Sequence, residues 1–515
     1  MLRLICLLII ILAASCQQDP KLFNKISSEA SNITFQNTIS NTSQLNILNY
    51  LYFYNGAGVA AGDFNNDGLA DLYFVANQNQ DKLYLNKGNL EFEDVSKRAN
   101  LLNENNWTTG VTTVDINNDG LLDLYICLVG AYSESKNLLY VNKGIENGIP
   151  TFENESAKYG LDISSYATQA VFFDFDLDGD LDMFLLNHSV HPNRTYGKGS
   201  ARKTYSKESG DILFENREGI FVDVSKEKGI FQGKTGYGLG LSVSDINNDG
   251  YPDIYIGNDF FENDYLYLNQ KGQAFKEIIS TNSTALGHTS HYSMGNAIAD
   301  INNDSRPDIL SLDMLPEDLE TYKVSGMEFS YPVYEQYLKN GYSPQYMQNT
   351  LHINNGNETF SESAYLSGIS GTEWSWSPLI ADFNNNGAKD LYITNGILGA
   401  TNNMDFINFI SNEKIQNKIE NGLKETDFQL FKDIPERKAS NYFYVNNRDN
   451  TFSNVTNSWS STEASLSNGA VYADLDNDGD LDIVVNNINE TAYLLENTSN
   501  TIPSTNYLKV GFNGS

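Results

Sequence analysis

A string of the form Asp-x-Asn/Asp-x-Asp-Gly-x-x-Asp serves one kind of chemistry, the holding of a hard cation. It recurs seven times in this chain, beginning at Asp63, Asp115, Asp174, Asp245, Asp300, Asp382 and Asp474. In the first copy Asp63, Asn65 and Asp67 stand at alternate positions, Gly68 permits a sharp turn, and Asp71 closes the loop. The next copies place their oxygens at Asp115, Asn117, Asp119 and Asp123, at Asp174, Asp176, Asp178 and Asp182, and at Asp245, Asn247, Asp249 and Asp253. The last three use Asp300, Asn302, Asp304 and Asp308, then Asp382, Asn384, Asn386 and Asp390, then Asp474, Asp476, Asp478 and Asp482. Every side-chain donor is an oxygen. An all-oxygen set in a short flexible loop suits Ca²⁺, whereas Zn²⁺ favours His or Cys and Mg²⁺ keeps most of its waters. The expected cofactor is Ca²⁺, one ion per loop.

Charge count orders the copies. The third and seventh offer four carboxylates each and should bind most tightly; the sixth has only Asp382 and Asp390 and should bind least. The fifth carries Ser305 where the others have Gly, which strains the turn. An EF-hand also starts with alternate acidic residues, but it needs a bidentate Glu at position 12 and a helix on each side. Position 12 here is Phe74, Ile126, Leu185, Ile256, Ser311, Ile393 and Val485, each in or beside a β-rich apolar run. The loop therefore joins two strands.

Four of the five histidines form His-x-x-His pairs, His188/His191 and His288/His291, with Arg194 near the first. Such pairs suit a transition metal or the polarisation of a ligand. Eight residues before the first Asp of five loops stand Trp107, Tyr166, Tyr237, Tyr292 and Trp374, with Trp376 close by. Aromatic rings at a channel mouth stack on sugars or on a partner's apolar side chains, and the same rings serve equally as wedges between neighbouring units. His188, His191, Arg194, Tyr237, His288, His291, Trp374 and Trp376 are the candidate ligand-binding residues. No nucleophile elbow or phosphate loop is present, and no catalytic residue is assigned.

These side chains need a repeating scaffold. Each unit reads as a strand into the loop, a strand out, then a Lys82-Leu-Tyr-Leu-Asn type strand and a Phe92-Glu-Asp-Val type strand. Four strands make a blade, and seven blades close an all-β propeller. The seventh unit lacks a clear fourth strand, and Leu22-Phe-Asn-Lys-Ile at the front resembles the missing one, so the N-terminal segment is expected to latch the ring. The acidic loops must share one face. The long insertions 188–211, 312–349 and 397–440 fall on the other, the last two partly helical, with Met404 to Leu423 helical in pattern.

The formal charge of −33 stays acidic even with every loop filled, which repels phosphate backbones and excludes nucleic acid as a partner. Residues 4–14 are apolar after Arg3; as a helix they span about 17 Å, short of a hydrocarbon core of about 30 Å. Residues 1–15 are read as an export signal. Cys16 after Ala13-Ala14-Ser15 resembles a bacterial lipobox, which implies lipidation of Cys16 and a linker over 16–21. Cys127 is then left alone and no disulfide forms.

The loops with their flanks, as in Gly58-Val-Ala-Ala-Gly-Asp-Phe-Asn-Asn-Asp-Gly-Leu-Ala-Asp-Leu, resemble the FG-GAP/VCBS repeats of integrin-α-like propellers, over residues 22–498. Ser311-Leu-Asp-Met-Leu-Pro-Glu-Asp and the stretch from Tyr50 to Asp63 resemble large Bacteroidota lipoproteins that carry an ASPIC/UnbV module. Residues 499–515, with Asn506-Tyr-Leu-Lys-Val, look like the start of that module. The resemblance implies a lipid-anchored protein of the cell surface or outer membrane. The expected function is non-enzymatic binding of a glycan or protein through the face opposite the acidic loops. The alternatives are a subunit docked on an outer-membrane transporter and, behind it, a hydrolase or lyase using the His pairs with Glu373.

Overall fold

A computed structural model of the chain describes residues 21–42, 45–102, 107–130, 135–190, 197–282, 284–325, 330–413, 415–416, 431, 434–461, 463–502 and 507–510. Seven four-stranded antiparallel sheets form the blades. The first holds Val59–Gly62, Asp71–Phe74, Lys82–Asn86 and Phe92–Asp94 in that order. The inner strands of blades two to seven are Thr108–Val114, Ala167–Phe173, Gly238–Ser244, Asn296–Ala299, Ser375–Ala381 and Ser467–Ala473. Each touches the next, and the seventh returns to the first, so the ring closes. The close approach needs glycine at some crossings: a Cβ on Gly295 would collide with the carbonyl of Trp376, and one on Gly110 with that of Thr168.

Sequence pattern follows position in the blade. Second strands such as Asp71–Phe74 and Asp123–Leu128 are buried along their whole length, because neighbouring blades cover both faces, and they read as apolar runs. The fourth strand of blade one, Phe92–Asp94, is short and ends in two exposed acids, which keeps that outer edge from pairing with another chain. A separate apolar cluster fills each junction between blades.

The latch forms as expected. Phe23–Ile26 pairs antiparallel with Tyr493–Asn497 and is the outer strand of blade seven. Asparagine then ties blade to blade. In six of the seven blades an Asn of the third strand reaches the backbone of another blade: Asn142 Nδ2 donates to the Phe64 carbonyl at 3.0 Å, and Asn86 to that of Leu475 at 2.7 Å across the closure. Asn269, Asn354, Asn446 and Asn497 repeat the bond, whereas Asn216 of blade three donates within its own blade, to Leu181.

A second set lies in the acidic loops. Their fourth residue adopts the left-handed conformation, and Asn66 there donates to the Gly120 carbonyl of the next loop at 3.1 Å. Blade three has Leu177 at that place, at φ +62° and 51 % exposed, and blade five has Ser305 at φ +68° where the other loops place Gly. A Cβ in this conformation costs about 1–2 kcal/mol. Leu177→Asn and Ser305→Gly are each expected to raise stability by about 1 kcal/mol, additively, since they lie two blades apart. Urea unfolding of the two single variants and the double variant checks this.

On the opposite face the insertions build a cap. The blade-three segment contains a 3-10 helix, Gly199–Lys203; the blade-five segment contains helices Leu319–Val324 and Tyr331–Lys339; the blade-six segment contains helix Met404–Ile410. The helical pattern beyond residue 416 lies mostly outside the described residues. Arg202 pairs with Glu262 of blade four at 2.8 Å, both buried, and lies over the Tyr342 ring of the blade-five insertion. The connection from the latch to blade one, 45–56, lies over the channel mouth as a plug.

Candidate metal loops and the capped channel

Six of the seven acidic loops share one internal wiring. Asp63 accepts the amide of Asp67 on Oδ1 at 3.0 Å and that of Gly68 on Oδ2 at 2.8 Å, which folds the loop back over its first carboxylate. The pair recurs at Asp115, Asp174, Asp245, Asp300 and Asp382. Loop seven is looser: Asp474 accepts only from Gly479, at 3.4 Å. The closing aspartate is buried and has a second task. Asp71 Oδ2 accepts from Phe64 N and Oδ1 from Asn86 N, so it clamps the loop to the third strand. A carboxylate oxygen has a second lone pair for an ion, so the clamp leaves it able to ligate.

The residues fit a hard cation. Asp174, Asp176 and Asp182 place carboxylate oxygens within 4.8 Å of one another, as do Asp474, Asp476 and Asp478. Like charges that close need a counter-charge, and burial with neighbouring Asp478 and Asp474 pushes the Asp476 carboxyl up to about 6. Asp176 Oδ1, Asn384 Oδ1 and Asp390 Oδ2 are buried without a hydrogen-bond partner. Two further carboxylates escaped the sequence reading. Asp180 and Asp480, at the seventh position of loops three and seven, each leave a buried Oδ1 unpartnered. Their signal was visible as an extra acid in Asp178-Gly-Asp180-Leu-Asp182 and Asp478-Gly-Asp480-Leu-Asp482. Residues 507–510 form no strand; Tyr507 packs on Gly479, and Lys509 Nζ donates to Asn477 Oδ1 at 2.9 Å, so the tail lies on loop seven.

At the other end of the channel the aromatic positions are occupied by the chain itself. Trp107, Tyr166, Tyr237, Tyr292 and Trp374 are buried in one cluster with Tyr50, Tyr52, Phe53 and Tyr54 of the plug. Tyr50 meets Trp107 edge-on with centroids 5.8 Å apart. Trp376 is half-buried and spends its indole N–H on the Gly396 carbonyl at 2.7 Å. Beneath the plug a cavity of about 370 Å³ is lined by residues of all seven inner strands.

His188 is enclosed by Tyr50, Tyr52 and Tyr166; its Nε2 lies 2.9 Å from the Tyr50 hydroxyl and its Nδ1 3.2 Å from the Ser189 carbonyl. His291 Nδ1 lies 3.0 Å from Gln345 Oε1, and half-buried His288 faces Glu362 at 3.7 Å. Neither joins a cluster of three metal-ligating residues among the described residues. His191 and Arg194 lie outside the described residues, as does Cys16. Glu373 faces Arg437 at 3.9 Å, and both are largely buried.

Burial pushes His188 down to about 4. A folded value below the unfolded 6.5 means that its contribution is present above about pH 6.5 and is lost as pH falls through about 4. Asp211 and Asp259, pushed up to about 8 by burial, act with the opposite sign, losing their contribution as pH rises. The readout is therefore comparative. The melting temperature of His188→Gln relative to the parent protein is expected to shift in the variant's favour as pH falls from about 6.5 to about 4. A constant difference across that window would show that His188 does not titrate there.

A family model described as FG-GAP-like repeat matches residues 63–126, 245–311, 342–393 and 435–485. Those four segments, under half of the chain, resemble FG-GAP-like repeats. The matched segments take in every acidic loop but that of blade three, the blade with Leu177 and without the cross-blade Asn bond. Cartilage acidic protein 1 of Homo sapiens is 32 % identical over 133 residues, covering 25 % of this chain and 20 % of that protein. The T-cell immunomodulatory protein homolog of Plasmodium yoelii yoelii is 23 % identical over 278 residues, covering 44 % of this chain and 37 % of that protein. The match thus spans a fifth to somewhat over a third of these relatives' length. Among solved structures, the exotype rhamnogalacturonan lyase YesX superposes with a TM-score of 0.40 at 10 % identity, over 87 % of this chain and 72 % of that one, a likeness too slight to carry an argument. Among the described residues no helix is long and apolar enough to cross a membrane.

Proposed function

We propose that this FG-GAP-like propeller is an exported, lipid-anchored, calcium-binding surface protein that binds a glycan or protein partner, without catalysis, through the face opposite its acidic loops. The observation that carries the reading is the asymmetry of the two faces. One face is the ring of acidic loops, whose unpartnered oxygens fit cations that hold the repeats together. The other presents Tyr205, Leu319, Tyr331, Tyr346 and Met404, which are exposed on or beside the insertions of blades three, five and six. Exposed apolar side chains gathered on one face mark an interaction surface. Burial favours binding over catalysis, since His188 and His291 are enclosed and hydrogen-bonded within the cap.

Glycan arrays and capture from the native cell surface, with Ca²⁺ and with EDTA, test the reading. Tyr331→Ala and Tyr205→Ala are expected to weaken capture at unchanged melting temperature, because exposed substitutions alter stability by less than about 0.5 kcal/mol. Capture that survives both substitutions moves the interface off this face.

A further inference from the structure

We propose that the blade-three insertion and the segment paired with it form a basic strip that binds an anionic glycan, which deepens the reading that the cap face binds a ligand and rests on it. The chain holds 66 acids against 33 bases, so a basic side chain has carboxylates within easy reach. Elsewhere in the ring the bases use them: Lys82 meets Asp94 and Lys143 meets Glu155, each at 2.8 Å. Among the described residues, the lysine side chains left without an ion pair, hydrogen bond or ring contact all fall between Lys198 and Lys276, Lys97 and Lys323 excepted. Within that span residues 197–207 include Lys198, Arg202, Lys203 and Lys207 and no acid.

The fold gathers these charges. After the 3-10 helix Gly199–Lys203 the chain is extended at Thr204; Tyr205 then pairs antiparallel with Gly233, and the Ser206 amide donates to the Gln232 carbonyl at 2.8 Å. The segments 202–207 and 231–234 thus lie side by side, so close that a Cβ on Gly233 would collide with the Arg202 carbonyl. Arg202 is spent on Glu262 and fixes this ribbon to blade four. Lys198, Lys203, Lys207 and Lys234 are exposed along it. Tyr205, 67 % exposed, stands between Lys203 and Lys207, and the Lys203 ammonium lies 5.8 Å from the centre of the half-buried Phe231 ring. The neighbouring acids are Glu208, next in the chain, and Asp223, which accepts from Gln232 Nε2 at 3.4 Å; neither pairs with these lysines.

Charge and shape select the partner. Exposed ammonium groups attract carboxylate or sulfate, and an aromatic ring standing between them offers a stacking surface to the face of a sugar. The rest of the molecule narrows the choice. At a net charge of −33, a flat anionic membrane or a globular acidic protein would meet acidic surface beside the strip, within the Debye length of about 8 Å. A thin chain touches the strip alone. Nucleic acid is thin too, but duplex DNA carries a charge every ~1.7 Å of its axis and is repelled more strongly than a glycan charged about once per sugar.

The test is a calorimetric titration of the full calcium-loaded chain with oligogalacturonate and with a sulfated galactan oligosaccharide, beside their methyl-ester and desulfated forms, single-stranded DNA and anionic phospholipid vesicles. Saturable binding to at least one of the two anionic glycans is expected, weakening as salt is raised and absent for its uncharged form. Lys203→Glu/Lys207→Glu should lower that affinity by roughly tenfold or more, since reversing a contacting charge turns attraction into repulsion. Lys97→Glu, a reversal at an unpaired lysine of blade one, should bind as the parent does, and all variants should keep the parent melting temperature. The proposal is overturned if neither anionic glycan binds, or if DNA or vesicles bind as tightly through the same lysines. It is overturned as well if the strip reversals cost no more than Lys97→Glu, the result expected of an anion bridged by calcium at the acidic loops. Surface capture keeps the two readings apart. Capture still lost in Tyr331→Ala while both glycans fail removes the strip alone, and glycan binding that needs Lys203 and Lys207 with capture indifferent to Tyr331 and Tyr205 places the captured partner off this face and leaves the strip.

Discussion

EDTA is expected to lower the melting temperature by roughly 10 °C and to make the inter-blade turns accessible to protease, with Ca²⁺ restoring both and Mg²⁺ restoring neither. The size follows from linkage: a loop at ten times its dissociation constant contributes about 1.4 kcal/mol, so seven together contribute about 10 kcal/mol. That is comparable to the whole stability of an ordinary domain. At about 2 cal/mol/K per residue, a propeller of this length loses about 1 °C per kcal/mol. The loops should empty in order of their charge. The sixth, with only Asp382 and Asp390 as acids, empties first, and the third and seventh, helped by Asp180 and Asp480, last. Calcium titration followed by calorimetry reads this as a spread of affinities. A melting curve indifferent to EDTA would make the loops hydrogen-bonded turns and nothing more, a role that the amide bonds to Asp63 and Asp71 already serve in part.

The acidic loops, the blade order and the latch were legible in the sequence because each is a local pattern with a local cause: oxygen spacing sets a loop, alternation sets a strand, and a missing strand calls for one elsewhere. What escaped depends on neighbours distant in the chain. Asn86 reads as the end of a strand, and only the ring reveals that its amide bonds the Leu475 carbonyl. Asp81, Asp211 and Asp264 are each buried and accept a backbone amide at or just past the end of the second strand, from Ala76, Asn187 and Asn258, a role that no local pattern marks. The plug was least legible. Tyr50, Tyr52, Phe53 and Tyr54 have no period, and their burial is decided by rings from five blades. Those five rings were found by counting back from the loops, but sequence left them free to line an open mouth or to pack; the structure packs them beneath the plug.

The latch bears the largest single-residue effect. Phe23→Ala is expected to cost about 3–5 kcal/mol, the range for a fully buried phenylalanine. Phe23 is entirely buried between the last two blades, stacked on Phe443 with centroids 4.6 Å apart and edge-on to Phe383 at 6.0 Å. Its strand, with the single bridges Gln36–Thr491 and Asn37–Ile488, ties the two ends of the chain together. The loss therefore falls on closure: if Phe23–Ile26 detaches, Tyr493–Asn497 is exposed as an unpaired edge beside the blade-six junction. Beyond a lower unfolding midpoint, Phe23→Ala should show early proteolysis near residues 21–42 and self-association at high concentration, measured by limited digestion and light scattering. Phe23→Leu keeps most of the buried area and should show neither. If Phe23→Ala instead unfolds in one step with no early cleavage, the latch is an integral strand of the blade, and closure and folding are a single event.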